Sequence, residues 1–288
     1  VRSDLTLAAR LAFAMTADES SVVSQTNQTP GNYLNAKWAE VSLESKAFGK
    51  LSLGKGSTAT DNTAAVDLSK TDIVLYSSIS DIAGGILFRQ NNGAYSSTTV
   101  ANAFNVLNGL GKASRLRYDT PSLIGFILSG SLVSDQRSDL ALSWGGEGYG
   151  FQAAGGFGLA NPKLDGAGLQ YDGSFSLLHT TSGLNLTLAA GLLEQKQRND
   201  GTNLYAKLGW LANLTSLGST AFGIDYTRSR DMAATGDRGY SVGGAVVQSF
   251  EKYATELYLQ YRIFSLDRTA DIPVSDINVG TFGARVKF

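Results

Sequence analysis

Apolar and polar side chains alternate with a period of two along most of this chain, the spacing of strands whose two faces meet different surroundings. In Asp4–Met15, Leu5, Leu7, Ala9, Leu11 and Phe13 share one face, and Thr6, Ala8, Arg10 and Ala12 the other. In Ala36–Ser45, Ala39, Val41 and Leu43 oppose Trp38, Glu40, Ser42 and Glu44. Leu51 and Leu53 carry the rhythm through Lys50–Gly56. Further strands are predicted near 113–119, 122–134, 138–145, 148–160, 168–180, 184–198, 202–212, 219–230, 238–249, 254–265 and 276–288, fourteen in all. Some connections are tight, as at 181–183 and 250–253, and others longer, as at 228–239 and 265–276. One stands apart: Gly56–Gly111 interrupts two short neighbouring strands. A loop of that length inside a regular β chain is uncommon and usually functional.

Composition changes what the alternation means. Charged residues make up 17% of the chain, against about 25% in ordinary globular domains, so the polar faces are too poor in charge for a water-exposed sandwich surface. They carry Gly, Ser, Thr and isolated charges, which suits a wet lumen lined by small polar groups. A spanning strand needs about 9–11 residues, and hydrocarbon leaves no backbone group unpaired, so such strands must close into a barrel. The expected fold is all-β, a transmembrane antiparallel β-barrel forming one domain over 1–288. Segment 56–111 is expected to fold into its lumen and set the pore width. No apolar run is long enough for a membrane helix, since Leu123–Val133 is broken by Gly and Ser. No basic, apolar-cored leader is evident, as in a mature or a cytosolic chain. The absence of Cys excludes thiolate metal sites, and a net charge of −1 argues against nucleic acid as a partner.

Three stretches resemble the general diffusion porins of Gram-negative outer membranes. Asn35–Thr58 is similar to the strand–turn–strand with Phe-Gly in its turn and Leu-Gly-Arg at its end. Arg115–Ser131 is similar to the strand pair with Arg-Tyr-Asp-Ser-Pro, and Val279–Phe288 to the terminal strand ending in Phe. The resemblance implies a sixteen-stranded, homotrimeric barrel in the bacterial outer membrane, in contact with its lipid and lipopolysaccharide. Asp4–Met15 would be the third strand, with the first hairpin absent from this sequence; closure with fourteen strands is the alternative, and both counts are even. The implied function is passive diffusion of small hydrophilic solutes and ions, without cofactor, metal or enzymatic activity.

In that family the long loop's acidic residues face a basic wall. The resemblance puts Asp81, in Ser80–Gly85, and Asp72 on the acidic side. It puts Lys55, Lys112, Arg115 and Arg117 on the basic side, with Lys55 standing where the family has Arg, and Arg10 is a lumen-wall charge. Two bland readings stay open: Arg115 and Arg117 pin the loop by pairing with its carboxylates, and Asp81 merely caps a turn. The resemblance also makes Asp18–Asn32 a latch onto a neighbouring subunit. Two other functions compete. One is a substrate-specific channel whose loop binds solute through Tyr76, Phe88, Tyr95 and Phe104; the other is an adhesin or enzyme anchored by the barrel, for which the short loops leave little material. Gly145–Gly150 imitates a nucleotide-binding glycine pattern but reads as a turn between strands. His179, the single histidine, reads as an interfacial residue at a strand end, and the sequon at Asn185 lies within a strand.

Overall fold

The structure is a computed structural model and describes residues 4–269 and 272–288. Fourteen strands form one antiparallel sheet in which each pairs with its neighbour in the chain. They are β1 (Leu5–Ala17), β2 (Asn32–Ser45), β3 (Gly49–Ser57), β6 (Lys112–Asp119), β7 (Phe126–Val133), β8 (Arg137–Gly148) and β9 (Phe151–Asn161). After them come β10 (Ala167–His179), β11 (Leu184–Gln195), β12 (Gly201–Thr215), β13 (Gly218–Arg230), β14 (Arg238–Phe250), β15 (Thr255–Asp267) and β16 (Ile277–Val286). Two short strands, β4 (Leu87–Arg89) and β5 (Tyr95–Thr99), make a separate hairpin within the long excursion. Strands β1 and β16 end the sheet and are not paired with each other among the described residues. No helix among those residues is long and apolar enough to cross a membrane, which says nothing about crossing by strands.

Turn chemistry explains where the strands differ from expectation. Gly145, Gly146 and Gly148 lie inside β8, and only Tyr149–Gly150 turns, both with positive φ (53° and 80°). That is the two-residue hairpin geometry whose twist matches the flanking strands. The predicted strand at 122–134 starts only at Phe126, because Ile124 and Gly125 also take positive φ (52° and 82°) and Leu123 bonds back to Phe126.

The two faces of the sheet are unlike. Leu132, Leu204, Ile224 and Leu259 each stand more than half exposed on the outward phase, together with many similar side chains. An apolar surface this extensive marks contact with something other than water. Aromatic pairs gather at the end of the short turns. Phe126 lies 6.0 Å from Trp144, Trp210 stacks on Phe222 at 5.8 Å, and His179 packs 4.7 Å from Phe151. Amphipathic rings at strand ends form the interfacial girdle of a membrane barrel. The opposite phase carries Ser42, Ser52, Ser129, Ser131, Ser174, Ser176 and Thr187, all buried.

The excursion 58–111, between the hydrogen-bonded neighbours β3 and β6, covers Ser131, Ser174, Ser176 and Thr187 of that phase, its neck tied by Thr58 N to Gly111 O (3.0 Å). Its interior packs on the sheet in two apolar clusters. Ile79, Phe88, Val100, Ala103 and Phe104 meet Ala189, Tyr205, Phe264 and Leu266, while Val74 and Leu75 meet Ala221 and Val247.

Candidate functional site

An irregular backbone laid over a sheet needs partners for its own N–H and C=O groups, and here inward-phase side chains provide them. Ala59 N donates to Ser131 Oγ (2.7 Å), and Thr60 donates to Asp139 through both N (2.9 Å) and Oγ1 (2.6 Å). Thr63 Oγ1 and Gly109 N donate to Asp172, and Val66 N and Leu68 N to Ser174 and Ser176. The path ends at Lys207, fully buried in β12, whose Nζ pairs with Asp67 and also donates to Ser69 Oγ (2.7 Å), Thr71 Oγ1 (3.0 Å) and Leu75 O (2.9 Å). The segment therefore crosses β7, β8, β10 and β12 on a row of side-chain anchors.

Sequence reasoning missed Asp67, Asp139, Asp172 and Lys207. For Asp172 and Lys207 a signal existed: each is the lone charge on its phase of the strand, as Lys207 is between Tyr205 and Gly209. Behind the segment lies a second buried pair, Arg262–Asp225 (2.5 Å).

Of the expected basic residues, Lys112, Arg115 and Arg117 fall on the wall left open by the segment. Arg115 is buried and fully occupied: Nε donates to Ser57 O (2.9 Å), Nη1 to Gly54 O (3.1 Å) and Nη2 to Glu40 (2.5 Å). Its carboxylate comes from the neighbouring wall, not from the loop. Arg117 makes a two-point pair with Asp119 and donates to Thr58 O (2.6 Å), so it does hold the neck of the excursion. Lys112 pairs with Asp61 of the segment (3.0 Å). Arg10 lies opposite Glu40 in the β1–β2 register, with its guanidinium over the Trp38 ring. Lys55 pairs in register with Ala39 and Ser114, on the pleat phase of Leu51 and Leu53, so the strand does not bring it beside Arg115.

On the acidic side, Asp72 is exposed, and Asp81 closes the 3-10 turn Ile79–Asp81. Asp81 accepts from the Tyr76 hydroxyl, and although the residue as a whole is exposed, its carboxylate is partly dehydrated by that packing. Dehydration raises its pKa, the Tyr76 bond opposes the rise and the Glu19 charge adds to it. Asp81 thus takes up a proton at higher pH than a free aspartate, and the segment loses that negative charge early on acidification. Burial, then the Asp81 charge, raises Tyr76 above the ordinary phenol range, which keeps it a donor.

Two further expectations meet the geometry differently. Loop 18–31 folds onto the chain's own excursion. Gln25 exchanges two hydrogen bonds with the Leu87 backbone (both 2.9 Å), and Ala83 N donates to Ser20 Oγ (2.9 Å). Those contacts lie within the subunit. A Cβ on Gly85 would sit 2.5 Å from Val23 O, so only Gly admits the clamp. Gly85→Val should lift loop 18–31, seen as faster protease nicking there than in the parent protein; equal nicking would sink this account. Of the four aromatics considered for solute binding, Phe88 and Phe104 are wholly buried in the segment's core, which withdraws them from any solute.

Residues 3–284 match the family model described as Gram-negative porin. A search of curated protein sequences finds no match. In fold the chain is similar to in-vitro folded OmpT, an outer membrane protein of Vibrio cholerae, with TM-score 0.59 and 13% identity over 99% of this chain and 85% of that one. It is similar to OmpF of Salmonella typhi in complex with daunomycin (TM-score 0.59, 14% identity, 99% and 87% covered). It also resembles an anion-selective porin from Comamonas acidovorans (TM-score 0.58, 13% identity, 99% and 86% covered). These identities speak for the fold alone, whereas the family match spans nearly the whole chain. An apolar outward face, a polar face anchoring a long excursion and that match together make this chain a member of the Gram-negative porins, outer-membrane channels for small solutes.

Proposed function

We propose that 58–111 is the constriction of a closed barrel, and that solutes pass between it and the wall of Arg10, Trp38 and Arg117. The carrying observation is the row of anchors from Ser131 to Lys207, which fixes the segment across the polar face. Hydrocarbon does not tolerate open strand edges, so β1 and β16 both need partners. The proposed closed form is the sixteen-stranded porin barrel, in which a further hairpin pairs with both. OmpT of Vibrio cholerae is described in a trimer form, and the same assembly is proposed here, surrounded by outer-membrane lipid and lipopolysaccharide along the apolar band. Asp81 and Asp72 give the segment its negative side, and Lys112 faces it from the strand end. The channel is passive and general: two of the four aromatics a solute-specific site would use are locked in the segment's core.

Purified protein in planar bilayers tests this reading. The expected record is stepwise conductance that rises linearly with salt, with solute flux limited by size and not saturating. A folded protein that inserts but never conducts would end the proposal, and flux saturating for one solute class would replace it with the solute-specific reading.

A further inference from the structure

The cations of the open wall differ in what holds them. Arg115 pairs with Glu40 (2.5 Å), Arg117 with Asp119 (2.7 Å) and Lys112 with Asp61 (3.0 Å), so a carboxylate offsets each of these charges. Arg10 has no ion pair among the described residues. Its guanidinium carbon lies 3.7 Å from the centroid of the Trp38 ring, and the Lys112 ammonium lies 5.0 Å from that same ring. Glu40 faces Arg10 in register, but Arg115 has taken it. Gly56 allows this crowding, since a Cβ there would strike Glu40 Oε2, Arg115 Nη2 and Trp38 Cδ1.

An indole face attracts a cation through its quadrupole and, unlike a carboxylate, adds no negative charge. Arg10 is therefore fixed in direction, and no carboxylate among the described residues pairs with it. Stacking uses the guanidinium's flat face and leaves its in-plane N–H donors free, in the fork geometry that fits an oxyanion.

We propose that Arg10, held away from Glu40 by Trp38, forms an oxyanion subsite on the channel wall, for solutes bearing a carboxylate or a phosphate. The ion preference of the wall then follows Arg10, since Lys112, Arg115 and Arg117 are each matched by a carboxylate. This rests on the channel reading above, and two measurements separate the fates of the two ideas.

The first is binding, which needs no conduction: inorganic phosphate and acetate are titrated separately onto the folded protein while tryptophan fluorescence is followed. Saturable change with either anion, lost in Arg10→Gln, is expected, and the more effective anion identifies the preferred oxyanion. No saturable change with either, or an unaltered change in Arg10→Gln, overturns the subsite. The second is the reversal potential in a KCl gradient. One unit charge a few ångströms from a permeating ion in water shifts its occupancy about fivefold. Arg10→Gln should lower the chloride-to-potassium permeability ratio by about that factor. Trp38→Leu should lower it too, because the released guanidinium swings to the Glu40 carboxylate. A ratio unchanged in Arg10→Gln overturns the proposal, and one unchanged in Trp38→Leu alone overturns the part given to the indole.

Discussion

Lys207→Met porin is expected to unfold at a lower temperature than the parent and to conduct with larger, fluctuating open levels. All four partners of the Lys207 ammonium belong to the excursion: the Asp67 carboxylate, the Ser69 and Thr71 hydroxyls and the Leu75 carbonyl. Removing the cation leaves Asp67, whose side chain is 4% exposed, as a charge without its counter-ion. Breaking a buried pair from one side costs about 3–5 kcal/mol, because the partner stays buried and unmatched. The segment can escape that cost only by lifting Asp67 toward water, which moves residues 67–75 off β12. Met preserves the packing of the aliphatic stem, so the loss reports the charge. The companion change Asp67→Leu should restore much of the lost stability, since two apolar groups can replace a buried pair at little cost. Thermal unfolding and single-channel recording both check it. Unchanged unfolding and a steady open level would show that Lys207 anchors nothing.

That anchor also marks the boundary of what the sequence discloses. The fourteen strands and the place of the excursion are legible, because a period of two survives wherever one face meets an apolar medium and the other a polar one. Strand limits at Gly145–Gly148 and Leu123–Gly125 are not, since glycine serves a strand interior and a turn alike and only φ distinguishes them. The phase of Arg115 follows from the alternation, but its partner does not. Glu40 precedes it by 75 positions and reaches it only because β2 and β6 both flank β3. The Lys207–Asp67 contact spans 140 positions and joins a strand to an irregular segment, which no periodicity encodes. Arg10 is readable as a wall charge; that Arg115 holds Glu40, the carboxylate opposite it in register, is not.

The largest change in function should come from removing the excursion itself. Replacing residues 64–107 with a short Gly-Ser linker, between the anchored Thr63 and the neck at Gly111, is expected to raise single-channel conductance several-fold. The sheet has reason to survive, because β3 and β6 are hydrogen-bonded neighbours whose pairing from Lys50–Asp119 to Ser57–Lys112 does not involve the removed residues. The linker only has to join Thr63 to Asn108, whose side chain already accepts from Ala64 N (3.1 Å). Water then reaches Tyr205, Phe264 and Leu266, which costs stability, and also Asn203, Thr227 and Gln260, buried polar groups with side-chain atoms that lack a hydrogen-bond partner among the protein atoms. Buried groups of that kind are stabilised by contact with water, so exposure partly offsets the apolar loss. Lys207 changes from a buried anchor to a hydrated wall cation once Asp67 is gone. The widened channel should therefore also gain preference for anions, read from the reversal potential in the same bilayers. If the segment lies in the conduction path, both quantities move together. A shortened protein that folds and inserts yet keeps the parent conductance would place the constriction elsewhere, and the anchors from Ser131 to Lys207 would then serve the stability of the sheet alone.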